Sequence, residues 1–177
     1  MRQYIVLSAV GQDRPGIVDR ISKFILEHDC NIEDSRMAIL GGEFALIVLV
    51  AGEADRTSRL QAEAGEFGEQ SRLTLFAKTT TAPGARAAKG GRRFAAHAVG
   101  LDHEGIVHEI AGTLAKLGVN IEALESSTVG APHSGAPQFV LDLRLETPPQ
   151  LSEEQLREKL TAACDAVNVD VEIKLLE

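Results

Sequence analysis

The chain has 177 residues, 44% hydrophobic, 25% charged and 4% aromatic, with a formal net charge of −8. This is the balance of a folded globular protein with material for one or two cores, and it excludes extended disorder. The acidic excess argues against direct binding to long nucleic acid, whose affinity rests on Lys and Arg. No apolar run approaches the roughly 18 residues of a membrane span. The opening stretch is interrupted by Gln3 and by Gly11-Gln12-Asp13 before any small-residue cleavage site, so a cytoplasmic protein without a membrane partner is expected. The two cysteines, Cys30 and Cys164, lack CxxC spacing and read as core thiols.

In chain order, "YIVLSAV" (4–10) is short, β-branched and bounded by Gly11, the pattern of a buried strand. Ile17, Val18, Ile21, Phe24, Ile25 and His28 then recur at three- and four-residue steps as one apolar stripe of a helix. Asp13 is placed to cap that helix, and Pro15 is tolerable in a first turn. "CNIEDSRMAIL" (30–40) and "EFALIVLV" (43–50) flank Gly41-Gly42, a two-residue hairpin signal. A less regular helix over about 53–68 and a strand at 71–79 complete a β-α-β-β-α-β order. In strand 43–50, Phe44, Leu46 and Val48 share one face and Ala45, Ile47 and Leu49 the other. Helices cover only one face of such a sheet, so the second apolar face is expected to meet the other domain or a second subunit.

"KTTTAPGARAAKGGRR" (78–93) has Pro83, three glycines and no apolar periodicity, which marks a linker. Its basic cluster of Lys78, Arg86, Lys89, Arg92 and Arg93 reads first as a solvated tether, with contact to phosphate or an acidic partner as the other account. A second copy follows: "RFAAHAV", a helix carrying Ile106, Val107, Ile110, Leu114 and Leu117, and strands near 119–129 and 138–146 around "GAPHSGAP", expected to be a mobile loop. Ser152 and Gln155 have capping-box spacing, and Val169, Val171, Ile173 and Leu175 alternate onto one face of a last strand. In "FVLDLRLE" the outer face carries Asp142 and Arg144, so this half is the wetter one. The resulting class is α+β: two ferredoxin-like βαββαβ domains, 1–80 and 93–177 joined by a linker at 81–92, each an antiparallel sheet with its helices on one face.

Sliding the sequence on itself by 89 residues superimposes 9–34 on 98–123 with eleven of twenty-six positions identical. "GQDRPGIV" (11–18) meets "GLDHEGIV" (100–107), and "NIE" recurs at 31–33 and 120–122. A strand turning through glycine into a helix leaves backbone N–H groups aimed out of the helix start, where a carboxylate or phosphate is favoured. Gly16 and Gly105 let a ligand approach that backbone. The same residues also serve as plain turn and cap residues, and the sequence does not separate the two roles.

"GQDRPGIV" followed by "CNIEDSRMAILGGEF" resembles the amino-acid-binding ACT domain, and both halves and the linker match its tandem regulatory members. That resemblance implies a non-enzymatic regulator that binds a small amino acid, glycine first among them, at interfaces between two such domains. It also implies a DNA-binding activator protein as partner, homo-oligomeric assembly and no cofactor. Carried over by position, it nominates Gly11, Asp13, Gly16, Ile17 and Asn31 in the first copy, and Gly100, Asp102, Gly105, Ile106 and Asn120 in the second. The second copy departs from the pattern with His103-Glu104 in place of Arg14-Pro15, which alters the charge and stiffness of its loop.

Other signals weigh less. "HEGIVH" (103–108) places its histidines five apart, whereas a helical zinc pair needs four. His97 reads as a satisfied, half-buried strand residue, and His133 falls in the expected loop. An acylphosphatase-like enzyme would use Arg14 to hold phosphate, but Pro15 and Gly16 leave few side chains for chemistry. An interaction module of ACT domains without a ligand is the remaining alternative.

Overall fold

A computed structural model describes residues 2–83, 91–130 and 135–176. The chain divides into two compact units, Met1–Ala85 and Arg86–Glu177. The first runs β1 (Arg2–Gln12), α1 (Ile17–Glu27), β2 (Asn31–Leu40), β3 (Glu43–Glu53), α2 (Ala54–Ser71) and β4 (Thr74–Thr80). The second repeats it as β5 (Arg93–Leu101), α3 (Ile106–Lys116), β6 (Asn120–Gly130), β7 (Pro137–Glu146), α4 (Glu153–Ala166) and β8 (Val169–Leu176). The sheets have the strand orders β2-β3-β1-β4 and β6-β7-β5-β8, and every neighbouring pair is antiparallel. Each unit is thus the split βαβ fold that the element order implies.

Period-two alternation fills the first core. Ile5, Leu7 and Ala9 of β1 and Phe44, Leu46, Val48 and Val50 of β3 face Ile17, Ile21, Phe24 and Ile25 of α1 and Leu60 and Ala64 of α2. The second core has the same design, with Phe94, Ala96 and Ala98 of β5 against Ile106, Ile110 and Leu114 of α3 and Leu156, Leu160 and Cys164 of α4. Each fully buried large side chain contributes about 1.5–3 kcal/mol relative to exposure. Gly41 and Gly42 both have positive φ, 59° and 86°, as a type I′ hairpin turn requires. α4 starts with a complete capping box: Gln155 N donates to Ser152 Oγ at 3.1 Å, and Ser152 N donates to Gln155 Oε1 at 3.0 Å.

Several expectations are corrected. The N-cap of α1 is Gly16, without a side-chain cap hydrogen bond; Asp13 does not cap the helix, and Pro15 precedes it. Val18 is 49% exposed and lies off the buried stripe, and Leu175 likewise points to solvent. α2 runs on to Ser71, expected to open the following strand, because its buried face continues through the small residues Ala64, Gly68 and Ser71, and the strand starts only at Thr74. A Cβ on Gly68 would lie 2.8 Å from the Leu73 carbonyl, so glycine here permits close packing of helix and strand. Lys78 and Arg93 sit inside β4 and β5, and Arg92 pairs with Glu153 at 3.5 Å, so the basic cluster is not a simple tether. Arg86, Lys89, His133 and the centre of "GAPHSGAP" lie outside the described residues.

The outer sheet faces differ as the sequences do. In the first unit Val10, Ile47 and Phe76 are exposed, Ile47 by 50% and Phe76 by 62%. In the second, Asp142 and Arg144 are exposed, and His97 is a satisfied strand residue with half of its side chain exposed, its Nδ1 2.7 Å from Asp142 Oδ1.

Candidate ligand site at the repeated loop

β1 ends at Gln12, opposite Glu43, and the chain then turns into α1. Asp13 N donates to Gly42 O at 3.0 Å, which ties the loop to the β2–β3 hairpin. In the second unit Asp102 N donates to Pro137 O at 3.2 Å, at the start of β7. Gly16 and Gly105 are then the N-caps, in the left-handed region at φ 86° and 94°, and nothing lies within 4 Å of where their Cβ atoms would be. Glycine is required there by conformation, and the space in front of it is open. Each helix thus begins without a side-chain cap, with the positive end of its backbone dipole at an open N-cap glycine.

In the first unit that recess has a volume of 290 Å³ and is lined by Asp13, Arg14, Gly16, Ile17, Met37 and Phe44 among others. This is the scale of a small-ligand cleft. Among the described residues the Asp13 carboxylate has no partner, whereas Asp102 Oδ2 accepts from Thr128 Oγ1 at 3.1 Å. The two loops therefore share a backbone path and differ in free charge. Met37 was not legible as a lining residue, because in sequence it is one more apolar residue of a strand.

Gly11 and Gly100 have a packing role. A Cβ on Gly11 would lie 2.8 Å from Leu73 Cδ2 and 3.0 Å from Arg72 O; one on Gly100 would lie 2.7 Å from Asn168 O. The end of the first strand in each unit passes directly against the turn that follows the second helix.

Asn31 is placed elsewhere. It pairs with Ala51, in the row of Tyr4, eight residues along β1 from Gln12. At about 3.3 Å per residue that is roughly 26 Å from the loop of its own domain. Asn120, in the row of Arg93 and Glu146, is likewise at the far end from Leu101. Within one domain the structure therefore brings together Asp13, Gly16 and Ile17, or Asp102, Gly105 and Ile106, and separates them from the asparagines. Asn31 lines a different recess of 470 Å³, with Arg2, Asp29, Cys30 and Arg56 among its walls. Its Nδ2 donates to Glu33 Oε1 at 2.9 Å, and Arg2 donates to the same carboxylate. These two hydrogen bonds, that of Asn31 first, hold Glu33 below the usual glutamate range.

Neither cysteine is activated. Burial raises the Cys30 thiol and pushes Cys164 up to about 11, the opposite of what a nucleophile or thiolate ligand needs. Arg14 is turned to the α2 C-terminus, where its Nη2 donates to Ser71 O. His103 has both ring nitrogens on backbone carbonyls, and the described residues contain no group of three or more His, Cys, Asp or Glu arranged to hold a metal.

Residues 3–78, all six elements of the first βαββαβ unit but for the ends of β1 and β4, match the ACT domain family. The first half of the chain is an ACT domain. Over 175 residues, 99% of this chain and 91% of the relative, it is 26% identical to the glycine cleavage system transcriptional repressor of Escherichia coli. A crystal structure of a protein of unknown function from Galdieria sulphuraria superimposes with a TM-score of 0.80 at 30% identity, covering 100% of both chains. Another, provisionally assigned as a glycine cleavage system transcriptional repressor, gives 0.73 at 25% identity, covering 100% of this chain and 99% of that one. Both βαββαβ units and their order are shared with these structures along the full chain.

Proposed function

We propose that this tandem ACT protein is a non-enzymatic sensor that binds a small amino acid, glycine first among candidates, and regulates a DNA-binding activator through protein contact. The observation that carries the reading is the glycine N-cap without a side-chain cap, found in both units, which in the first unit opens onto a recess beside Asp13, whose carboxylate has no partner among the described residues. The N–H groups of the first turn suit the α-carboxylate of an amino acid, and Asp13 suits its ammonium. The similarity to the E. coli repressor supports the regulatory part. The acidic chain supports contact with a protein rather than with DNA.

Assembly follows from the same geometry. The exposed apolar face around Val10, Ile47 and Phe76 gives the chain a surface suited to self-association. Asn31, some ~26 Å from the loop of its own domain, can join such a loop only from another domain, so pairing of domains would bring the two nominated sets of residues together. A thermal-shift screen of the purified protein against the twenty amino acids tests the sensor. Stabilisation by glycine or another small amino acid is expected. Co-purification with and without that ligand tests the partner, and a DNA-binding protein whose recovery changes with ligand is the expected result. Failure of both would leave the interaction module without a ligand.

A further inference from the structure

Each loop carries one cation at the same place: Arg14 and His103 are 89 residues apart, the shift of the repeat. Both reach across to the end of the second helix of their own unit. Arg14 Nη2 donates to the carbonyl of Ser71, the last residue of α2. His103 Nε2 lies 2.7 Å from the carbonyl of Val167, the C-cap of α4, and its Nδ1 lies 2.9 Å from Glu104 O. Carbonyls at a helix C-terminus have no intrahelical donor and carry the negative end of the dipole, so a cation is favoured there. The cation thus fastens the loop two residues before the glycine N-cap and fixes where the open helix start points.

The chemistry of the two fasteners differs. A guanidinium keeps its charge throughout the stable range of a protein. An imidazole donates from both nitrogens only as imidazolium; when neutral, it presents a lone pair to one of the two carbonyls. We propose that Arg14 and His103 are positioning residues for the two ligand loops, and that the loop of the second domain is therefore seated by a proton while that of the first is seated permanently. The consequence for ligand binding rests on the reading of the loops as amino-acid sites; the seating itself does not.

The surroundings agree with that assignment. The hydrogen bonds to Val167 O and Glu104 O, with the nearby Asp102 carboxylate adding to them, raise His103 above its usual 6.5. The charged group shown to act on it is acidic, Asp102; in sequence its own loop carries Glu104 next to it, and Asp165 and Asp170 flank the Val167 turn. For a histidine raised in the folded state, the stabilisation is complete below the usual value and is lost as pH rises through the raised one.

Hydrogen exchange of the loop amides, corrected for intrinsic rates and followed from about pH 6 to pH 9 across the usual histidine range, tests this on the full chain. Protection of residues 102–106 should fall with rising pH while that of 13–17 stays level, and His103→Arg should make both level. Glycine titrated over the same range should show the affinity of one site declining with pH in the wild type and not in His103→Arg. Falling protection without glycine binding at either loop would support the seating and count against the ligand reading alone. Level protection at 102–106 in the wild type would overturn the inference.

Discussion

The guanidinium of Arg93 lies 3.2 Å from the carboxylate of Glu122, and Arg2 pairs with Glu33 in the first domain in the same way. Both glutamates occupy β-bulges: the register of β2 shifts between Ile32 and Asp34, and that of β6 between Ile121 and Ala123. The extra residue of a bulge has no ladder partner, and here its carboxylate is held by an arginine from the start of the central strand. The recurrence of "NIE" is accounted for by this bulge and its ion pair, in addition to any ligand.

Glu33 should leave a mark on acid stability. Its carboxyl is lowered below the usual 4.5, chiefly by Asn31 and then by Arg2. The stabilisation it gives is present above about 4.5 and is lost as pH falls through the lowered value. Melting temperature measured against pH should fall less steeply on the acid side in Glu33→Gln, and Asn31→Ala should reproduce more of that change than Arg2→Ala.

Glycine substitutions should separate conformation from packing. Gly16→Ala and Gly105→Ala place a Cβ in open space but in the left-handed region, at a cost of about 1–2 kcal/mol. Gly100→Ala drives its Cβ into a backbone oxygen, and an overpacking cost of about 3 kcal/mol is expected. Chemical denaturation, fitted for each domain's transition, gives both values.

Ser71 offers a stabilising change. Among the described residues its buried Oγ has no hydrogen-bond partner, whereas its carbonyl serves Arg14. Ser71→Ala removes the stranded hydroxyl and keeps the carbonyl, and a gain of about 1 kcal/mol in unfolding free energy is expected.

The outer face of the first sheet should govern assembly. A charge at Phe76 or Ile47, both at least half exposed, is expected to cost little folding stability. If that face joins copies of the chain, sedimentation of Phe76→Glu should give the monomer mass of 19.0 kDa where the wild type gives a multiple of it.

Much of this architecture is written in local pattern. The alternation in β1 and β3, the stripe of α1, the Gly41-Gly42 turn and the Ser152 box each have a short-range physical cause, and an 89-residue repeat carries most of them twice. What escaped depends on distance in space. Gly68 reads as the end of a helix and Ser71 as the start of a strand until both are found on the buried face of α2. Gly11 and Gly100 look like ligand-loop glycines until the turn after the second helix is found against them. The separation of Asn31 from Asp13 was hidden for the same reason: β2 runs antiparallel to β3, which sends the asparagine to the opposite end of the sheet. Arg14 and His103 were noticed as a difference in charge, but their common target at a helix C-terminus appears only in three dimensions.

The central claim is that the glycine-capped helix start with its free carboxylate receives an amino acid. Calorimetric titration of glycine into the wild type and into Asp13→Ala addresses it directly. Saturable binding in the wild type, weakened by about tenfold or more when Asp13 is removed, is the predicted result, since one charged hydrogen bond contributes about 1.5–3 kcal/mol. Absence of saturable heat with glycine and with each of the other amino acids up to millimolar concentration, or binding unchanged in Asp13→Ala, would contradict it.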